Sequence, residues 1–161
     1  MLLDGVRVIA PSCYPEDAWN EAEVLGGMVW LWNQHSYYRQ GSVESAMEIL
    51  TAIIASRHFC FFVKDQQPLG YVNWAFLNEQ DEQAYIHKTE PYAAFLDRPH
   101  DGSTPVRMWM LSWFFPAGGG TVAKRLLRKH VLKAERAYFL YHKPATGTVT
   151  TKFFSGLERG R

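Results

Sequence analysis

Apolar residues recur at helical spacing through Val24, Leu25, Met28, Val29 and Trp32. They predict a helix over residues 18–34, with Asp17 or Asn20 as its cap, although Gly26 and Gly27 fall inside it. A second helical stripe, Val43, Ala46, Met47, Leu50, Ile53 and Ile54, opens on Ser42 and closes near Ser56. The period then changes. Residues 58–63 form a short aromatic and β-branched run, residues 64–67 a polar turn, and residues 68–77 a second, mostly apolar strand. Tyr71, Asn73, Ala75 and Leu77 share one face of that strand; Gly70, Val72, Trp74 and Phe76 share the other, so a β-hairpin is expected.

Further along, residues 78–83 read as a polar turn and residues 84–87 as a short strand. Residues 88–105 read as an irregular loop with a helical turn at 92–96, long enough to ask for a functional reason. Residues 106–115 are a central-strand candidate. Three glycines follow, then a basic amphipathic helix over 121–132, with Val122, Ala123, Leu126, Leu127 and Val131 inward and Lys124, Arg125, Arg128 and Lys129 outward. Two strands, 136–141 and 148–154, flank a turn at 143–147, and residues 156–161 form a short basic tail. Residues 1–16 read as an N-terminal extension with a short strand at 6–10, punctuated by Pro11 and Pro15.

Composition narrows the class. With 161 residues the chain is expected to be one domain, residues 1–161, and it can bury a substantial core. Hydrophobic residues make up 47% and aromatics 15%, which suits an aromatic-rich interior or cleft. A net charge of +1 gives no global field toward nucleic acid or membrane, so any basic feature is local. Two cysteines, Cys13 and Cys60, are too few for a disulfide framework, and no Cys/His spacing suggests a metal site. A reducing, cytoplasmic setting is expected. The first ten residues are broken by Asp4 and Arg7 and do not read as a signal peptide, and no apolar run has transmembrane length.

The candidate chemistry centres on residues 107–132. Strand, glycine loop and helix start is a way to hold an anion, because the first N–H groups of a helix lack internal partners. The loop Gly118, Gly119, Gly120, Thr121 has no G-K-[ST] ending and no G-x-G-x-x-G spacing, which excludes a Walker loop and a Rossmann fingerprint. Ser112 sits in an apolar strand without G-x-S-x-G context, so a backbone-bonded serine is one reading of it. The basic helix face is either simply solvated or a docking patch for an acidic partner. The order of elements is close to the acetyltransferase (GNAT) arrangement, an α/β fold with a mixed, mostly antiparallel sheet flanked by helices.

Three motifs sharpen that likeness. V-L-G-x-x-x-W-L-W at residues 24–32, P-L-G-Y-V-N-W-A-F-L at 68–77 and W-M-L-S-W-F-F-P at 109–116 resemble motifs of the RTX toxin-activating lysine acyltransferases, the hemolysin-activating HlyC family. The second and third correspond there to P-[VI]-A-Y-C-S-W-A-x-L and W-[FI]-I-D-W-I-A-P. Lys152-Phe153-Phe154-Ser155-Gly156 resembles a late K-x-x-[EK]-[FY]-x-G segment. Order and spacing agree over residues 24–156. The resemblance implies transfer of a fatty acyl group from the 4'-phosphopantetheine of acyl carrier protein to internal lysines of a protoxin, in the cytoplasm, with no tightly bound cofactor. It also implies an acetyltransferase-like fold and homodimers.

This sequence departs from the resembled pattern where chemistry is expected. His35-Ser36-Tyr37-Tyr38-Arg39 aligns with S-P-x-H-R, so Tyr38 stands in the place of the catalytic histidine, and Ser112 in that of the catalytic aspartate. Acyl transfer needs a neutral amine, an oriented thioester and a proton for the leaving thiolate. Tyr38 can supply that proton, His35 can act as base, and a backbone N–H near residues 113–115 can polarise the thioester. The expected catalytic set is therefore His35, Tyr38 and Ser112. Trp113, Phe115, Gly118, Gly119, Gly120 and Thr121 are expected to bind the acyl donor. Trp32, Arg39, Tyr71, Asn73 and Trp74 are expected to line the cleft, and Lys124, Arg125, Arg128 and Lys129 to meet the carrier protein. Two other functions stay open: a non-catalytic relative that binds carrier protein or toxin, favoured by Tyr38 and Ser112, and a small-molecule acetyltransferase using acetyl-CoA.

Overall fold

The computed structural model describes residues 1–96, 98–100, 102–143 and 145–160. Asp97 and Asp101 of the expected loop, Pro144 of the expected turn and Arg161 of the expected tail lie outside the described residues.

Among the described residues, seven strands form one sheet in sequence order: β1 (Leu2–Leu3), β2 (Val6–Ile9), β3 (Phe59–Lys64), β4 (Gln67–Leu77), β5 (Arg107–Phe114), β6 (Arg136–His142) and β7 (Val149–Ser155). Every neighbouring pair is antiparallel except β5 and β6, which run parallel. This is the mixed, mostly antiparallel α/β architecture expected of an acetyltransferase-like fold. The segment read as an extension is part of the sheet: β2 pairs with β3 through Arg7, Val8 and Ile9, and Val6 and Val8 are core residues. The β3–β4 hairpin turns on Asp65 and Gln66, both with positive φ, which sets the register.

Two layers of helix cover the sheet. On one face lie α1 (Glu21–Asn33) and α2 (Val43–Ser56), which bury Val24, Met28, Leu31, Leu50 and Ile53 against Phe59, Phe61 and Tyr71. Asn20 and Ser42 cap them, accepting from the Glu23 and Ser45 amides. On the other face lies α4 (Gly120–Leu126), extended by a π turn over Leu127–Val131 and packed through Ala123, Leu126 and Leu127 on Val72, Trp74 and Met110.

Residues 79–87, expected as turn and strand, instead form α3 (Glu79–His87), capped by Asn78. Its buried positions are carboxylates, Asp81 and Glu82, which hide it from a reading of apolar periodicity. Glu82 accepts from both Arg107 and, at 2.8 Å, the Trp109 indole N–H. Asp81 accepts from Arg98 at 2.6 Å, and Arg98 also pairs with Glu90. These bonds clamp the 3-10 turn Tyr92–Phe95, which lies between α3 and β5, onto the α1/α2 face.

Two irregularities shape the site. Pairing between β5 and β6 is confined to Met108–Ala137 and Trp109–Tyr138, so the strands splay beyond it. Between β4 and β5 the register shifts: Asn73 faces Ser112 but Trp74 faces Met110, leaving Leu111 as an inserted residue. Strict alternation would put Ser112 on the α4 side with Met108 and Met110. The bulge puts it beside Asn73 on the α1/α2 side.

Gly70 is matched to one neighbour. A Cβ there would collide with the Phe115 ring and stand 2.5 Å from the Phe114 carbonyl oxygen. Both Gly70 and Phe115 stand where the resembled motifs carry alanine, so a small residue and a large one have traded volume across the strand pair. Gly70→Ala alone is expected to cost about 1–3 kcal/mol by overpacking. In a chemical denaturation cycle with Phe115→Ala, the double variant should lie at least about 1 kcal/mol above the sum of the singles; additive losses would refute the matched pair.

Candidate active site at Ser112

Two cavities meet at Ser112. The first, of about 520 Å³, occupies the splay between β5 and β6 and is walled by Met110, Leu111, Phe139, Leu140, Phe153 and Phe154. Lys124 and Arg128 reach its edge from the helical layer, with Arg128 held by a 3.1 Å bond to the Ser155 carbonyl. An apolar trough with cations at one side suits an elongated apolar ligand that carries an anionic group. The second cavity, of about 570 Å³, opens on the α1/α2 face between Trp32, Tyr38, Ser45, Ile49, Tyr71 and Tyr92. Ser112 lines both.

The second cavity is an aromatic box. Tyr38 rests its ring 4.8 Å from Trp32 and 5.2 Å from Phe114, and Phe114 lies 5.5 Å from Tyr71. The Trp32 indole donates to the Tyr71 hydroxyl at 2.9 Å. Helix α1 ends at Asn33, so His35 and Tyr38 both lie beyond it; Tyr38 opens a 3-10 turn, Tyr38–Gln40. Their rings still approach to 5.1 Å. His35 lines neither cavity, and its Nδ1 accepts from the Tyr37 amide at 3.3 Å. Tyr38 presents to the cavity and His35 packs behind it.

The remaining expected residues divide. Trp32 and Tyr71 line the second cavity, whereas Asn73 lies wholly buried beneath it, bonded to Tyr92. Trp74 is in the core on the opposite face of β4, and Arg39 is exposed and lines neither cavity. Trp113 lines the first cavity, and Phe115 packs against Phe62 and Trp113. Gly118 and Gly119 take left-handed conformations that lead into α4, and a Cβ on Gly120 would stand 3.0 Å from the Trp113 indole nitrogen. Gly120 thus sits next to Trp113, and neither the glycine loop nor Thr121 lines the trough. Of the four basic residues, Lys124 and Arg128 turn to the cavity, Arg125 lies 3.6 Å from Asp4, and Lys129 is exposed.

Tyr92 is a residue the sequence reading missed. Its hydroxyl lies 2.7 Å from Ser112 Oγ and 2.9 Å from Asn73 Oδ1. The one signal was an aromatic residue following a proline in a loop too long to be mere connection.

Burial pushes the Tyr71 and Tyr92 phenols well above their ordinary value of 10.0, against the opposing pull of their hydrogen bonds, and pushes Tyr85 up to about 12. A phenol raised in the folded state stabilises it fully below pH 10, where the unfolded chain is protonated too. That stability drains away as pH rises through the folded values. The urea midpoint should therefore fall between pH 10 and 12, with tyrosinate absorbance of these rings growing in step with unfolding. A flat midpoint would show them exposed.

Comparison with known proteins bears on what this geometry serves. The HlyC model, described as the RTX toxin acyltransferase family, matches residues 17–151. The RTX-II toxin-activating lysine-acyltransferase ApxIIC of Actinobacillus pleuropneumoniae is 29% identical over 112 residues, 70% of this chain and 64% of that protein. The protein-lysine myristoyltransferase HlyC of Escherichia coli is 29% identical over 111 residues, 68% of this chain and 62% of its own. The leukotoxin-activating lysine-acyltransferase LktC serotype A1 of Mannheimia haemolytica is 24% identical over 121 residues, 74% and 70% of the two chains. The match thus spans a little under two thirds of the first two relatives. The family match runs from just before α1 into β7 and takes in Tyr38, Tyr92, Ser112 and the walls of the second cavity. A match over most of the residues that build the sheet and its cavities places the chain in the RTX toxin acyltransferase family.

Proposed function

We propose that the chain, acting as one acyltransferase domain, moves a fatty acyl group from the phosphopantetheine of acyl carrier protein to lysine ε-amino groups of an RTX-type protoxin. The observation that carries this reading is the meeting of two unlike cavities at Ser112. The apolar trough takes the pantetheine and acyl arm, with Lys124 and Arg128 toward its phosphate. Arg125 and Lys129, on the same helical layer, face the acidic surface of the carrier. The aromatic box takes the lysine, whose apolar stem packs on Tyr71 and Trp32.

In the transfer the neutral amine nitrogen bonds to the thioester carbon and the C–S bond breaks. The nitrogen loses one proton and the thiolate gains one, so the overall step is neutral. Tyr38 is placed in the lysine cavity to pass that proton to sulfur. His35 supports Tyr38 through its ring contact rather than by reaching the reacting atoms. The inserted Leu111 leaves a β5 backbone position outside the ladder, next to Ser112, where an amide can polarise the thioester carbonyl.

The test is mass spectrometry of a lysine-containing toxin segment incubated with the protein and fatty acyl carrier proteins of several chain lengths. A mass increase of one acyl group on lysine is expected, together with at least tenfold weaker carrier binding in Lys124→Glu/Arg128→Glu. No acylation with any donor would overturn transfer. Ser112 and Tyr38, in place of a carboxylate and a histidine, favour a second reading, a non-catalytic relative. Carrier or toxin binding without turnover would establish it.

A further inference from the structure

The clamped 3-10 turn Tyr92–Phe95 delivers one phenol to the junction of the two cavities. Tyr92 Oη is 2.7 Å from Ser112 Oγ and 2.9 Å from Asn73 Oδ1. Its turn is fixed by Arg98, which donates to the Ala94 carbonyl at 3.3 Å and to Asp81 at 2.6 Å. The proton route through Tyr38 makes no use of this phenol.

The direction of the chain follows from the inventory of hydrogens. An amide oxygen only accepts, so the single Tyr92 hydrogen goes to Asn73. Tyr92 then accepts from Ser112, and the single Ser112 hydrogen is committed to that bond. What remains on Ser112 Oγ is lone-pair density, and Ser112 is a residue that lines both cavities. Burial pushes the Tyr92 phenol above its ordinary value, so it holds the hydrogen that it gives to Asn73. Asn73 adds a second observation. It is wholly buried, yet its Nδ2 has no hydrogen-bond partner. An unpartnered buried N–H costs about 1–3 kcal/mol, so packing alone would be served better by an apolar side chain.

We propose that Tyr92 is a positioning residue for acyl transfer: by fixing the direction of the Asn73–Tyr92–Ser112 chain, it makes Ser112 Oγ an acceptor for one N–H of the incoming lysine amine. The proposal rests on the acyl-transfer reading above. The hydrogen held by Ser112 is the one that stays on the product amide. The other leaves the nitrogen as the C–S bond breaks and ends on the thiol. With one N–H pinned, the nitrogen lone pair is turned to the thioester carbon.

The test compares the wild type with Tyr92→Phe, Asn73→Val, Ser112→Ala and the Tyr92→Phe/Ser112→Ala pair, using a fatty acyl carrier protein and a lysine-containing toxin segment. Tyr92→Phe should lower kcat by about 10- to 100-fold with KM for the acyl carrier unchanged. Asn73→Val should lose activity to the same degree without losing thermal stability. Deprived of its acceptor, Tyr92 would donate to Ser112, and Ser112 would turn its hydrogen into the cavity. The paired variant should be no slower than Ser112→Ala alone. Wild-type kcat in Tyr92→Phe, or losses that multiply in the paired variant, overturn this role and leave acyl transfer standing. Should Tyr92→Phe not fold, Asn73→Val decides in its place. An inactive wild type overturns both.

Discussion

Tyr38→Phe is expected to lower kcat for lysine acylation by about a hundredfold or more while leaving the fold intact. The substitution removes one oxygen. The ring keeps its neighbours Trp32, His35, Tyr37 and Phe114, with centroids 4.8 to 5.3 Å away. The loss would therefore come from proton delivery, because a thiolate expelled into a largely apolar cavity is a poor leaving group until it is protonated. His35→Ala should cost less, about tenfold, because His35 lines neither cavity and acts through the ring it supports. Single-turnover acylation measures the chemical step directly. A Tyr38→Phe rate within a factor of two of the wild type would remove the phenol from the mechanism.

The largest stability effect is expected at Glu82. Its carboxylate is almost fully buried and receives the Arg107 guanidinium and the Trp109 indole N–H. Glu82→Ala removes the shared acceptor at once. It leaves a buried indole donor unpaired and detaches α3 from the start of β5. Breaking such a pair costs about 3–5 kcal/mol. Arg107 is half exposed and can be rehydrated, which favours the lower end. A urea denaturation series reads the change as a shift in midpoint at constant slope. A shift below about 1 kcal/mol would mean that the α3 clamp is incidental. Glu82→Gln, which can still accept from Trp109, should fall between the two.

The sequence was most readable where one periodicity acted alone. The stripes of α1 and α2, the apolar β4 strand and the run into β5 declared themselves, and Asn20 and Ser42 cap where the sequence suggested. It was least readable where burial was bought with charge. Helix α3 hides Asp81 and Glu82 rather than apolar residues, so its inward face looks like an outward one. The site was legible in part for a related reason. Tyr38, Ser112, Tyr71 and Trp32 were marked by motif resemblance and do gather at one cavity. Trp74 was marked by the same motif but faces the opposite core. Tyr92 was invisible because its partners are 19 and 20 residues away in sequence. The Leu111 insertion leaves no local mark either, since M-L-S-W-F alternates as well without a bulge as with one.

The junction at Ser112 also constrains the order of events. Each cavity has its own approach, one through the β5–β6 splay and one from the α1/α2 face, so neither guest must depart before the other arrives. With its hydrogen tied to Tyr92, Ser112 is also a poor candidate to carry the acyl group in a separate half-reaction. On the proposed reading, carrier and toxin are held together in one ternary complex. The acyl group passes between them directly, and the spent carrier leaves by the side from which it came.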